Sequence, residues 1–164
     1  MIDEVLNLKV EEIRFYDSYM TITLPKCKND QSREGNVIYV SELHSKYCPV
    51  FNTAVYIHTL GLMPGHFLIC KLKKIKKGHK VMGHRRISDS SIRKNFIKLS
   101  KPFFPGLNIG LHGLRAGGAS AAARNNVTDR LISKHGRWLS ERGRDGYIKD
   151  SLRNRLHVTK SLGL

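Results

Sequence analysis

Acidic side chains are scarce in this chain of 164 residues: 13 Asp and Glu stand against 29 Lys and Arg, a formal net charge of +16 at neutral pH. That scarcity argues against metal-dependent phosphoryl chemistry, which relies on paired carboxylates, and no metal is expected. Cysteine is nearly absent. Cys27, Cys48 and Cys70 are odd in number, widely spaced and form no CxxC, which excludes a disulfide framework and points to a reducing, intracellular compartment. His44-x3-Cys48 and His66-x3-Cys70 are too loosely spaced for a zinc site, and Pro49 follows the first at once. There is no apolar run of 18 residues, no secretory leader and no transit-like start, so no membrane partner is expected. No Gly-rich loop follows a strand pattern and no βαβ alternation occurs, which removes nucleotide-binding folds and small-molecule cofactors of that kind.

Hydrophobic residues make up 40% of the chain, enough for a real core, and the length predicts one domain over residues 1–164. The charge is lopsided. Residues 1–50 hold 6 basic and 8 acidic side chains, residues 51–111 hold 12 and 1, and residues 112–164 hold 11 and 4. A field of one sign on that scale implies a polyanionic partner, most simply nucleic acid. Its densest part is "KLKKIKKGHKVMGHRR", eight Lys or Arg in sixteen residues without an acid. It reads as a basic loop over 71–86. There Lys71, Lys73, Lys74, Lys76, Lys77, Lys80, Arg85 and Arg86, together with Arg137 further on, are the expected phosphate contacts. Basic segments also serve nuclear import, and a nuclear location is expected.

The pattern predicts a mainly α fold with a small antiparallel sheet near the N-terminus. "DEVLNLKVEEI" carries apolar residues at Val5, Leu8 and Val10, with Leu6 between, and reads as the last turns of a helix. "YMTITLP" and "NVIYV" read as two antiparallel strands around a long polar hairpin loop, with a short third strand near "IRFYD". A helix is expected from Cys48 to Gly61, with Pro near its start and Gly at its end. Another follows a Ser/Asp cap, with Ile92, Phe96 and Leu99 at helical spacing. Three more are expected at His112–Asn125, Thr128–His135 and roughly Ser140–Ser151, with Thr128 or Asp129 capping the second.

The chemistry concentrates late in the chain. His112 and Arg115 stand at i and i+3, neighbours on one helical face. The only Trp is Trp138, and Tyr147 lies nine residues beyond it. Lys28 sits at the mouth of the expected hairpin. Breaking a phosphodiester without a metal takes a nucleophile, a cationic clamp where charge builds up and an acid for the departing oxygen. Tyr can attack. Arg grips phosphate through a planar fork that Lys cannot match, and His shuttles protons near neutral pH. The small-residue run after Arg115 reads as a helix packed closely enough to hold the pair still.

With Lys in a hairpin, HxxR opening a small-residue helix, then Trp and Tyr, the chain resembles the catalytic domain of tyrosine recombinases, the phage-integrase family. It is most similar to those carried by eukaryotic mobile elements, through "LHGLRAGGASAAARNNVTDRLISKHGRWLSERGRDGYIKDSL". The resemblance implies DNA cleavage and rejoining, for recombination or integration, through a 3′-phosphotyrosyl link to Tyr147. Arg115 would bind non-bridging oxygens and His112 would accept or relay the phenol proton. Lys28 would protonate the 5′ oxygen, with Lys26 taking its place if the hairpin register shifts by two. Trp138 falls at the family's His/Trp position, and His135 is a nearby candidate of lower rank. The partner implied is double-stranded DNA, bound as a homo-oligomer, with the tail at 151–164 packing on a neighbouring protomer. The family's first Arg stands three residues before an acid that matches Glu4, so its slot is Met1. A truncated recombinase, feeble or inactive alone, is therefore expected, with a catalytically inactive DNA-binding remnant as the alternative and a basic RNA-binding protein as the third.

Overall fold

Period-two alternation in the N-terminal half builds the sheet that was expected there. The computed structural model describes residues 2–24, 36–107 and 109–162; Met1, Lys26 and Lys28 lie outside them. Strands β1 (Ile13–Phe15), β2 (Tyr19–Leu24) and β3 (Asn36–Ser41) form an antiparallel sheet in the order β1-β2-β3. The register pairs Ile13 with Ile22, Ile22 with Ile38 and Met20 with Val40. This puts the apolar set on one face. That face joins Leu8, Leu24, Cys48 and Val50 in the core, with Ile57 and Leu68 packed against it. Helix α1 (Ile2–Asn7) ends before Val10, which opens a short 3-10 turn over Val10–Glu12. Leu6 is fully buried and Val5 is 43% exposed, so Leu6, not Val5, faces inward.

Helix α2 (Pro49–Thr59) has Pro49 at its first turn, and Gly61, at φ 57°, stands just past its end. Its cap is the buried Cys48, whose Sγ accepts the N–H groups of Phe51 and Leu43. The Phe51 N–H holds that thiol below its usual pKa. The segment 71–86, expected as a basic loop, is instead a hairpin of β4 (Cys70–Lys74) and β5 (His79–Arg86). Two features lay under the charge run: Leu72 and Val81 alternate with lysines, and Gly78 at φ 92° supplies the turn, closed by Ile75 N–H to the Gly78 carbonyl. Arg86, one of the expected phosphate contacts, lies 3.8 Å from the Asp3 carboxylate.

Helix α3 (Asp89–Ser100) begins where Ser88 Oγ accepts the Ser91 N–H. It is followed by α4 (Leu111–Arg124), α5 (Asp129–Gly136), α6 (Glu141–Asp145) and α7 (Leu152–Lys160). Thr128 occupies the cap position of α5 without a side-chain cap bond. The helix expected to run from 140 to 151 stops at Asp145, because Gly146 follows and two glycines weaken the short segment. Within the tail, 152–160 is helical.

Contacts divide the chain into two compact units, Met1–Ile92 and Arg93–Leu164. The first holds both sheets and α2. The second is helical, and among its described residues the buried side chains are Ala119, Ser120, Ile132 and Arg144. Among the described residues no helix is long and apolar enough to cross a membrane.

Candidate active site

Among the described residues, the candidate site lies in the helical unit and is assembled from α4 and the ends of α5 and α6. Helix α4 starts directly after Gly110. His112 is therefore in its first turn, exposed, and Arg115 is one turn on, half-buried. Helix α5 closes with Arg137 in the left-handed region at φ 56°, ψ 48°. The Trp138 N–H reaches back to the Ser133 carbonyl at 2.9 Å and the Arg137 N–H to that of Lys134 at 3.3 Å, a Schellman ending that turns the chain back on itself. Trp138 is thereby laid over Gly136, where a Cβ would come within 1.9 Å of the indole.

The Arg115 guanidinium packs against both rings, at the third corner of a triangle with them. Its Cζ is 4.2 Å from the Trp138 ring centroid and 5.4 Å from that of Tyr147, and its Nη2 donates to the Gly136 carbonyl at 2.5 Å. The Trp138 and Tyr147 rings lie 5.5 Å apart, tilted by 49°. The His112 and Tyr147 rings lie 6.3 Å apart, tilted by 30°. Cation–π contact of this kind contributes on the order of 0.5–2 kcal/mol and orients the guanidinium. Two donors stay open: Arg115 Nε and Trp138 Nε1 are buried and have no hydrogen-bond partner among the described residues. A buried donor without an acceptor costs about 1–3 kcal/mol. Two of them in adjoining side chains are what an acceptor-rich group such as a phosphate would satisfy.

The structure brings His112, Arg115, Trp138 and Tyr147 together. His135 is exposed on α5 and outside this ring cluster. The eight basic residues of 71–86 belong to the other unit, and Arg137 sits in the turn between Gly136 and Trp138. The close packing expected of the small-residue run is narrower than its length suggested. Gly117 and Gly118 face open space, and only Ala119 and Ser120 are buried.

Three residues that sequence reasoning passed over support the site. Gly136 is the floor under the indole; its position two residues before the only Trp was the available signal. Arg144, buried, bonds Asp145 at 2.8 Å and Asp129 at 3.1 Å and so ties α6 to α5. The Asp145 hydrogen bond holds its pKa above the ordinary value. Ser120, the one hydroxyl among Gly and Ala on α4, meets the backbone on both sides of Ile148. Gly136→Ala is expected to push the indole off Arg115. The emission of the chain's single Trp should shift, and overpacking should lower stability by about 1–3 kcal/mol in thermal denaturation.

Among solved structures, the fold matches the XerH site-specific recombinase bound to palindromic difH substrate in a post-cleavage complex. The TM-score is 0.68 at 13% identity, over 98% of this chain and 41% of the recombinase chain. It also matches XerH bound to difH substrate in a pre-cleavage complex, with TM-score 0.62 and 18% identity, over 100% of this chain and 42% of that one. At such identities the likeness is one of fold, and this chain spans less than half the length of the recombinase. No protein-family model matches the chain, and no curated protein matches it.

Proposed function

We propose that this chain is the catalytic domain of a tyrosine recombinase, cleaving and rejoining duplex DNA through Tyr147. The phenol oxygen attacks phosphorus, the bond to O5′ breaks, and a 3′-phosphotyrosyl link forms. The phenol proton passes to His112, and the departing O5′ takes a proton from Lys28. Rejoining runs the same steps backwards, with the O5′ hydroxyl as nucleophile and Tyr147 as leaving group. Arg115 and Trp138 hold the non-bridging oxygens, where charge builds up.

The observation that carries this reading is the Arg115 guanidinium packed against both Trp138 and Tyr147, with Arg115 Nε and Trp138 Nε1 both unsatisfied. The match of fold to a site-specific recombinase on its substrate and the net charge of +16 support the same conclusion. The resemblance to recombinases of eukaryotic mobile elements makes such an element the natural setting.

The test is a covalent adduct on nicked duplex DNA. The wild-type chain is expected to form one, feebly because Met1 stands in the slot of the first Arg, and Tyr147→Phe none, at equal duplex affinity. An adduct that persists in Tyr147→Phe, or none from the wild-type chain, overturns the assignment. The second reading, a DNA-binding domain without catalysis, is favoured by the commitment of Arg115 Nη2 to the Gly136 carbonyl. It predicts salt-dependent duplex binding and no adduct.

A further inference from the structure

Tyr147 has little regular structure to hold it. It lies between α6, which ends at Asp145, and α7, which begins at Leu152, so no continuous ladder of helical hydrogen bonds fixes its backbone. Two anchors do so instead. Its N–H donates to the Arg144 carbonyl at 2.9 Å, at the end of the short helix that Arg144 clasps to α5. Its carbonyl accepts from Ser120 Oγ at 3.4 Å, and the same hydroxyl accepts the Lys149 N–H at 2.8 Å. Ser120 is buried, with 6% of its surface exposed. One hydroxyl thus spans residues 147–149, using its single proton and a lone pair.

The placement of that hydroxyl matters because of the helix it comes from. Ser120 is on α4, the helix that also carries His112 and Arg115. The bond from Ser120 therefore registers the tyrosine segment directly against the helix bearing the guanidinium. An alanine keeps the helix and the burial but leaves the Tyr147 carbonyl and the Lys149 N–H without their shared partner.

We infer that Ser120 is a positioning residue for Tyr147, setting the reach of the phenol toward whatever Arg115 holds. The inference rests on the function proposed above. A displacement of about 1 Å costs on the order of 10²-fold in rate when reacting groups must be pre-aligned. Single-turnover cleavage of a saturating nicked duplex by Ser120→Ala is thus expected to show a rate constant lower by about 10²-fold, at unchanged duplex affinity. Ser120→Thr, which keeps the hydroxyl, should restore it. A residue that mattered only for stability would lower the amplitude, which counts folded molecules, and leave the rate constant alone.

Trp138 emission, read without DNA, supplies a second measure independent of activity, since the phenol ring lies 5.5 Å from the indole. Ser120→Ala should shift that emission and Ser120→Thr should not. If Ser120→Ala does not fold, Ser120→Cys, of similar size with a weak sulfur donor and acceptor, takes its place, with the same losses expected. A hydroxyl-free or Cys variant with wild-type rate constant and emission overturns the inference. If the wild-type chain forms no adduct, the proposed reaction falls, while the emission of the variants still decides whether Ser120 places the ring.

Discussion

Arg115→Lys is expected to slow single-turnover cleavage of a nicked duplex by about 10²–10³-fold, the loss typical of one preorganised donor at a developing oxyanion. Lysine keeps the positive charge, so long-range attraction to DNA and its salt dependence should barely move. What it loses is shape. The planar fork that stacks 4.2 Å from Trp138 becomes a compact ammonium, the bond to the Gly136 carbonyl is released, and the open Nε donor disappears. A cleavage rate within a few-fold of wild type would mean that the guanidinium serves packing alone. The affinity measurement separates the two roles, because packing damage reduces binding and rate together.

The second large effect concerns the β4–β5 hairpin and is read in binding rather than chemistry. Lys73 faces Lys80 directly across the ladder, and Lys71 shares their face, opposite Met82. Like charges in register repel and destabilise the pair. Polyanion phosphates would neutralise them. A two-stranded ribbon is also a shape that the major groove of B-form DNA admits, and one that the deep, narrow major groove of double-stranded RNA does not. Replacing Lys71, Lys73 and Lys80 together by Gln should reduce the slope of log affinity against log salt by about 2.7. At 0.1 M salt this weakens duplex binding by more than two orders of magnitude. Lys74→Gln, on the opposite face, should change the slope little. Thermal stability of the triple variant should hold or rise as repulsion is relieved. An unchanged slope in the triple variant removes the hairpin from the DNA-binding surface.

The strand pattern of Met20, Ile22, Ile38 and Val40 was legible because alternation over a half-buried face leaves a period of two in the residue types themselves. The same signal was present in Lys71–Arg86. Lysines stood at most of the exposed positions and hid the two apolar alternations, so a hairpin looked like a loop. The end of α6 was misjudged for a related reason: Glu141, Arg142 and Arg144 favour helix locally, and the break comes from the glycines between and after them. Gly117 and Gly118 misled in the opposite direction. Their smallness suggested close packing, but which face of a helix meets a neighbour depends on the neighbour.

His112, Arg115, Trp138 and Tyr147 could be named from order and spacing because each side chain brings its own chemistry wherever it lies. The net charge of +16 points to a polyanion for the same reason: charge adds up without reference to shape. Folding alone decided that the guanidinium packs against both rings, that two donors are left open beside them, and that a buried serine spans the tyrosine segment. Those facts depend on angles at Arg137 and on packing between helices remote in sequence. Such long-range geometry is a property of the whole unit, and no local run of residues encodes it.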